Sequence, residues 1–260
     1  MQDPKDNLTT EIVTFVQGLT YEEIPSNVRI ELKRCLLDGL GVILSGVNSS
    51  CSQIIRTFIQ ENANQGTASI LGTNITVPTA LAALANGVAG HAEDFDDTQL
   101  STSPDRIYGL LTHPTTPALA ATLAVAEEVD ANGKEFLTAF CAGFEVECKI
   151  ADTINPNHYL LGNHSTGTIG IFAAATGAAK LLGLTKQETA NAIGIAASKS
   201  SGIRANFGTM TKPYHAGAAA ENGIVAAKLA QLGYVADPNG LDGPWGFLQV
   251  KGGDFDPDRL

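Results

Sequence analysis

Runs of alanine and glycine constrain this chain more than any other feature. They fill Thr79 to Gly90, Thr115 to about Val129, Ser165 to Leu182 and the stretch behind Pro213. Alanine is the strongest helix former, and small side chains let helix backbones approach closely. With 27 glycines and only 6% aromatic residues, the composition favours closely packed helices over a β-sandwich. At 260 residues and 44% hydrophobic, the chain can bury a sizeable core as one large domain or two small ones.

Periodicity places the elements. Ile12, Phe15, Val16 and Leu19 form a helical stripe closed by Gly18 and Thr20, and Pro25-Ser26 opens a second helix ending near Ser45-Gly46. A third helix spans Ser52 to Asn62. The period then changes: Thr67-Ala-Ser-Ile-Leu, Gly72-Thr-Asn and Ile75-Thr-Val predict a small β-hairpin, the one convincing strand pair. Pro78 restarts helix up to Gly90, and a loop from Gln99 to Thr112 follows. Asp130-Ala-Asn-Gly133 is a turn before a helix over Lys134 to Asp152, and Asn155-Pro-Asn-His-Tyr159 breaks the pattern. Thr185 with Glu188 is a capping box for the next helix. The expected fold is all-α: one helical domain over residues 1–260 with a hairpin on its edge.

A formal net charge of −11 argues against nucleic acid, whose phosphates demand a basic face. An anionic substrate would have to be held by a local cationic pocket within an acidic shell. Cys35, Cys51, Cys141 and Cys148 form no Cys-x-x-Cys pair and read as buried residues of a reducing compartment. The first ten residues have no signal-peptide profile, and no apolar run reaches membrane-span length. The expectation is a soluble, cytoplasmic protein.

Ser198 to Gly223 sets Arg204, Lys212 and His215 among small residues where a helix starts, with Pro213 suited to its first turn. Cations there meet the positive end of the helix dipole, so an anion is their natural partner. The alternative is a surface turn with solvated charges. His91, His113, His158 and His164 fall at element boundaries, where histidine is more often a cap than a catalyst. With Asp94, Lys212 and Arg204 they form a set suited to acid/base work on a carboxylate. Glu93-Asp94-Phe95-Asp96-Asp97-Thr98 offers hard oxygen ligands for magnesium or calcium, a solvated helix end, or a carboxylate that orients a histidine. The glycine required by a calcium loop is missing. No dinucleotide fingerprint, phosphate loop, Gly-x-Ser-x-Gly elbow or His-Glu-x-x-His occurs. What remains is cofactor-independent proton transfer.

Gly90-His-Ala-Glu-Asp-Phe-Asp-Asp-Thr98, Thr112-His-Pro114, His164-Ser-Thr-Gly-Thr-Ile-Gly170 with Lys180-Leu-Leu-Gly-Leu184, and Gly208-Thr-Met-Thr-Lys-Pro-Tyr-His-Ala-Gly217 resemble the MmgE/PrpD family. That family includes 2-methylcitrate dehydratase, cis-aconitate decarboxylase and iminodisuccinate epimerase. The resemblance implies a large all-α domain, a smaller α+β lid domain absent from this chain, and a homodimer without metal or organic cofactor. It implies Asp94, His113, His164 and Lys212 as catalytic residues, with Thr98 in the same site and His215 close by. Lys212 would hold a substrate carboxylate, and His113 and His164 would handle protons. Arg204 is added as a substrate contact on charge grounds alone. Two departures stand out: a longer loop between Thr98 and His113, and a chain shorter than the family's. The expected activity is a lyase on a small di- or tricarboxylate. An iminodisuccinate-type epimerase and a non-catalytic assembly subunit are the alternatives.

Overall fold

The computed structural model describes residues 8–99 and 111–260. The Ser103-Pro-Asp-Arg and Tyr108-Gly stretches of the long loop lie outside the described residues. The architecture is all-α, as the small-residue runs predict. Helices α1 (Leu8–Gly18), α2 (Ser26–Gly46) and α3 (Ser50–Asn62) lead into β1 (Ala68–Ser69) and β2 (Thr76–Val77). The two strands pair antiparallel, Ala68 opposite Val77. After them come α4 (Thr79–His91), α5 (Thr115–Val129), α6 (Gly133–Ile154), the short α7 (Asn157–Leu160), α8 (Ser165–Leu181), α9 (Lys186–Lys199) and α10 (Thr211–Gln231).

Local sequence explains the boundaries. The Thr185–Glu188 capping box is present at α9, and a second, Asn132 with Glu135, opens α6. The turn before α6 is closed by Asp130 in the left-handed region (φ 53°), a conformation aspartate tolerates. The segment that breaks the helical pattern after Ile154 contains α7, a single helical turn.

Helices α4, α5, α8 and α10 are buried along most of their length, and their contacts run backbone to backbone. A Cβ on Gly87 of α4 would lie 2.7 Å from Gly217 Cα of α10, and one on Gly217 would lie 2.5 Å from the Leu84 carbonyl oxygen. Only glycine at both positions permits this approach. The close crossing sets the first turn of α10 beside the C-terminal end of α4, where the candidate site forms. Among the described residues, no single helix is long and apolar enough to cross a membrane.

Candidate functional site

Four segments converge: the end of α4 with the loop behind it, the entry to α5, the entry to α8, and the first turn of α10. His91 is the last residue of α4 and is 1% exposed. Its Nδ1 lies 2.9 Å from both carboxylate oxygens of Asp96, and Thr116 Oγ1 donates to Asp96 Oδ2 at 2.8 Å. Burial works against the Asp96 charge. The hydrogen bond and charge of His91, with His113 and Thr116, outweigh it and hold the carboxyl below its usual range. His113 Nδ1 is 3.2 Å from the Asp96 carbonyl oxygen and 3.5 Å from its Oδ1.

Asp94 has φ 59°, in the left-handed region that aspartate tolerates. It forms an ion pair with the Lys212 ammonium, while its Oδ1 stands 3.8 Å from His113 Nε2. Desolvation raises the Asp94 carboxyl, but the Lys212 bond and charge, aided by His91 and His113, leave it below the ordinary value. Lys212 is in the first turn of α10, so the anion called for by a cation at a helix N-terminus is a carboxylate of the chain itself. The Lys212 ammonium also lies 5.1 Å from the centre of the Phe207 ring.

His164, the N-cap of α8, is 2% exposed and stacks on His91 with ring centres 5.5 Å apart. Its Nδ1 is 3.0 Å from His215 Nδ1, and its buried Nε2 has no partner. Burial, reinforced by the charges of His91, His215, Lys212 and His113, pushes His164 down to about 2, so the ring is neutral. Burial lowers His215 as well.

Behind this cluster, Glu147 of α6 is fully buried and accepts a hydrogen bond from Thr112 Oγ1, next to His113. Burial pushes it well above the ordinary carboxyl range, and Asp97 and Asp96 push the same way, against the Thr112 hydrogen bond.

Asp94, His113, His164, Lys212 and His215 are therefore brought together. Thr98 lies exposed beyond Asp97. Arg204 has other neighbours: its guanidinium stacks 3.8 Å over the Tyr159 ring and donates to the Tyr159 carbonyl oxygen. His158 is structural, bonded to Thr168 Oγ1 and the Lys251 carbonyl oxygen. His91 and Asp96 were read only as a boundary histidine and a member of the acidic cluster, outside the site the family resemblance implies, and here they form its buried pair. Their signal was present: a histidine closing an alanine helix, with an acid five positions on.

His91, Asp94, Asp96 and His113 each place one donor atom within 4.8 Å of the others, close enough to hold a metal ion. In this arrangement the carboxylates are engaged, Asp96 with His91 and Thr116 and Asp94 with Lys212, whereas the buried His91 Nε2 has no hydrogen-bond partner.

The domain thus gathers buried imidazoles, a depressed carboxylate and an ammonium around one centre, residue types suited to proton transfer on a small anion. The chain matches the MmgE/PrpD N-terminal domain over residues 10–260, and it belongs to that family. It is 31% identical to the cis-aconitate decarboxylase of Homo sapiens over 247 residues, covering 93% of this chain and 50% of the relative. It is 29% identical to the Aspergillus terreus cis-aconitate decarboxylase, covering 97% and 52%. It is 27% identical to the 2-methylcitrate dehydratase of Escherichia coli K12, covering 93% and 51%. The chain thus spans about half the length of the curated relatives it matches.

Proposed function

We propose that this chain carries the anion-holding and proton-handling part of a lyase acting on a small tricarboxylate, of the cis-aconitate or 2-methylcitrate kind. The observation that carries the reading is the Lys212–Asp94 ion pair set against His113 and the buried, neutral His164. A substrate carboxylate takes up the Lys212 ammonium in place of Asp94, with the first turn of α10 adding its dipole. Thr98, exposed beyond Asp97, serves the outer part of the anion, whereas Arg204 is held against Tyr159. His164, neutral and holding an unpartnered nitrogen, takes the proton next to the carboxylate. Its proton affinity is low in the empty site because it is buried, with the basic groups around it adding to the effect, and a bound polyanion offsets that second part. His113, oriented by Asp96, returns a proton or assists departure of a hydroxyl. The developing negative charge is stabilised by Lys212 and the imidazoles, an electrostatic contribution of several kcal/mol.

The decarboxylase and dehydratase activities of the relatives support this reading, as does the convergence of Asp94, His113, His164 and Lys212. A homodimer and a cytoplasmic location go with it, the latter supported by four unpaired cysteines. The test is a full-length form assayed on a panel of tricarboxylates. Lys212→Ala is expected to raise KM by at least tenfold, and His164→Ala to lower kcat by about 10²–10⁴, the usual worth of a general base. Unchanged kinetics in both variants would falsify the reading. Stereochemical scrambling with deuterium uptake and no change in unsaturation would assign an epimerase instead.

A further inference from the structure

We infer that His215 is the second station of a two-imidazole relay that carries a proton between the buried His164 and solvent. The inference rests on His164 acting on the substrate proton, as above, and assigns how that proton leaves.

The two Nδ1 atoms are 3.0 Å apart, and one hydrogen must lie between them. One ring donates and the other accepts, so the two neutral rings hold opposite tautomers. When His164 is the donor, its Nε2 carries a free lone pair, and that atom is the buried one with no partner. His215 then bears its hydrogen on Nε2. Its residue retains 7% exposure, whereas His164 retains 2%. The pair thus runs from a sealed end to a wetter one.

The surrounding structure holds the two rings in contact. His164 N–H donates to the Gly202 carbonyl oxygen, and Asn163 forms a bridge with Ile203, tying the entry of α8 to the segment before α10. A Cβ on Gly167 would sit 2.7 Å from His215 Cβ, so α8 gives way for the ring by having no side chain there. Phe207 closes the other side, edge-on to His164 with centroids 4.9 Å apart. The titratable groups facing the pair are His91, stacked on His164, with His113 and the Lys212 ammonium beyond. All are basic, and they oppose storage of a positive charge on His164. A proton taken at His164 Nε2 is therefore passed on: the Nδ1 hydrogen of His164 moves to His215 Nδ1, and the Nε2 hydrogen of His215 goes to water. One proton enters, one leaves, and both rings end neutral with their tautomers exchanged. Return of the hydrogens in the opposite sense delivers a proton to the site. His215 acts through His164 and is a positioning and relay residue.

Two measurements on the full-length protein test this. In a sample with ¹⁵N-labelled histidine at neutral pH, a nitrogen–nitrogen coupling across the hydrogen bond is expected between His164 and His215. One ring should show the Nδ1–H tautomer and the other the Nε2–H. Two Nε2–H tautomers and no coupling overturn the relay, whether or not any acid is turned over. In kinetics on a turned-over tricarboxylate, His215→Asn keeps a hydrogen-bonding side chain and is expected to lower kcat tenfold or more with KM within twofold. His215→Ala should regain rate, saturably, with added imidazole. Wild-type kcat in His215→Asn, or loss in both variants with no imidazole response, overturns the relay. If the wild type turns over no acid at all, the lyase reading fails and the coupling measurement alone decides the pair.

Discussion

His158 shows how the same residue type takes two roles a few positions apart. It sits one turn before His164 and is fully buried, but both its nitrogens are bonded, to the Lys251 carbonyl oxygen and to Thr168 Oγ1. Burial pushes it down to about 4, against 6.5 for a free imidazole. A histidine lowered on folding contributes stability that is present above 6.5 and lost as pH falls towards the folded value. The loss amounts to about 3 kcal/mol at 1.36 kcal/mol per unit. Denaturant unfolding from neutral pH down to about 4 should show it, and His158→Gln should lose about that much less over the same interval. Equal slopes would mean that His158 does not govern this limb. The sequence could not separate the two residues, since both are boundary histidines. Asp94, His113, His164 and Lys212 were legible because each sits in a motif resembling the family. His91 and Asp96 were within those motifs too. Their importance comes from pairing inside the core, which spacing alone does not reveal.

Among the elements, the decisive contact is α4 against α10. The alanine and glycine runs made close helix packing legible in advance, but not which helix meets which. The Gly87–Gly217 approach supplies that, and it also sets Lys212 beside Asp94. The capping box at α9 was read from Thr185 and Glu188. The one at α6 was missed because Asp130-Ala-Asn-Gly reads as a turn, and it is a turn whose third residue also caps a helix. Gly217→Ala drives a methyl into the Leu84 carbonyl. Overpacking of this kind costs about 1–3 kcal/mol. The separation of α10 from α4 should also weaken the Lys212–Asp94 pair. Thermal unfolding should register the first effect, and weaker binding of a tricarboxylate by the full-length protein the second. Gly217→Ala with unaltered stability would show that the crossing has slack and does not position the site.

At the scale of the whole molecule, helix α2 carries an apolar stripe that the core does not use. Ile30, Leu37 and Leu44 are 59%, 75% and 52% exposed, and their seven-residue spacing puts them on one face of α2. A Cβ on Gly41, on the same face, would meet nothing, so another backbone could come close there. The spacing is symmetric about Leu37. When two copies of α2 run antiparallel across a two-fold axis, Leu37 meets Leu37 and each Ile30 meets the partner's Leu44. A self-complementary patch is what an isologous dimer requires, and it supports the homodimer in our reading. Leu37→Arg sets two like charges against each other at the axis, where burial makes them most costly. Sedimentation velocity on the full-length protein should show a dimer for the wild type and a monomer for Leu37→Arg, with equal helical content by circular dichroism. A dimer that persists in the variant places the interface elsewhere. A wild-type monomer means that other parts of the full-length chain cover the stripe. An oligomer was expected from family resemblance, whereas the face that would make it emerges only once the core has claimed Val28, Leu32, Cys35, Leu36, Leu40 and Ile43 of α2.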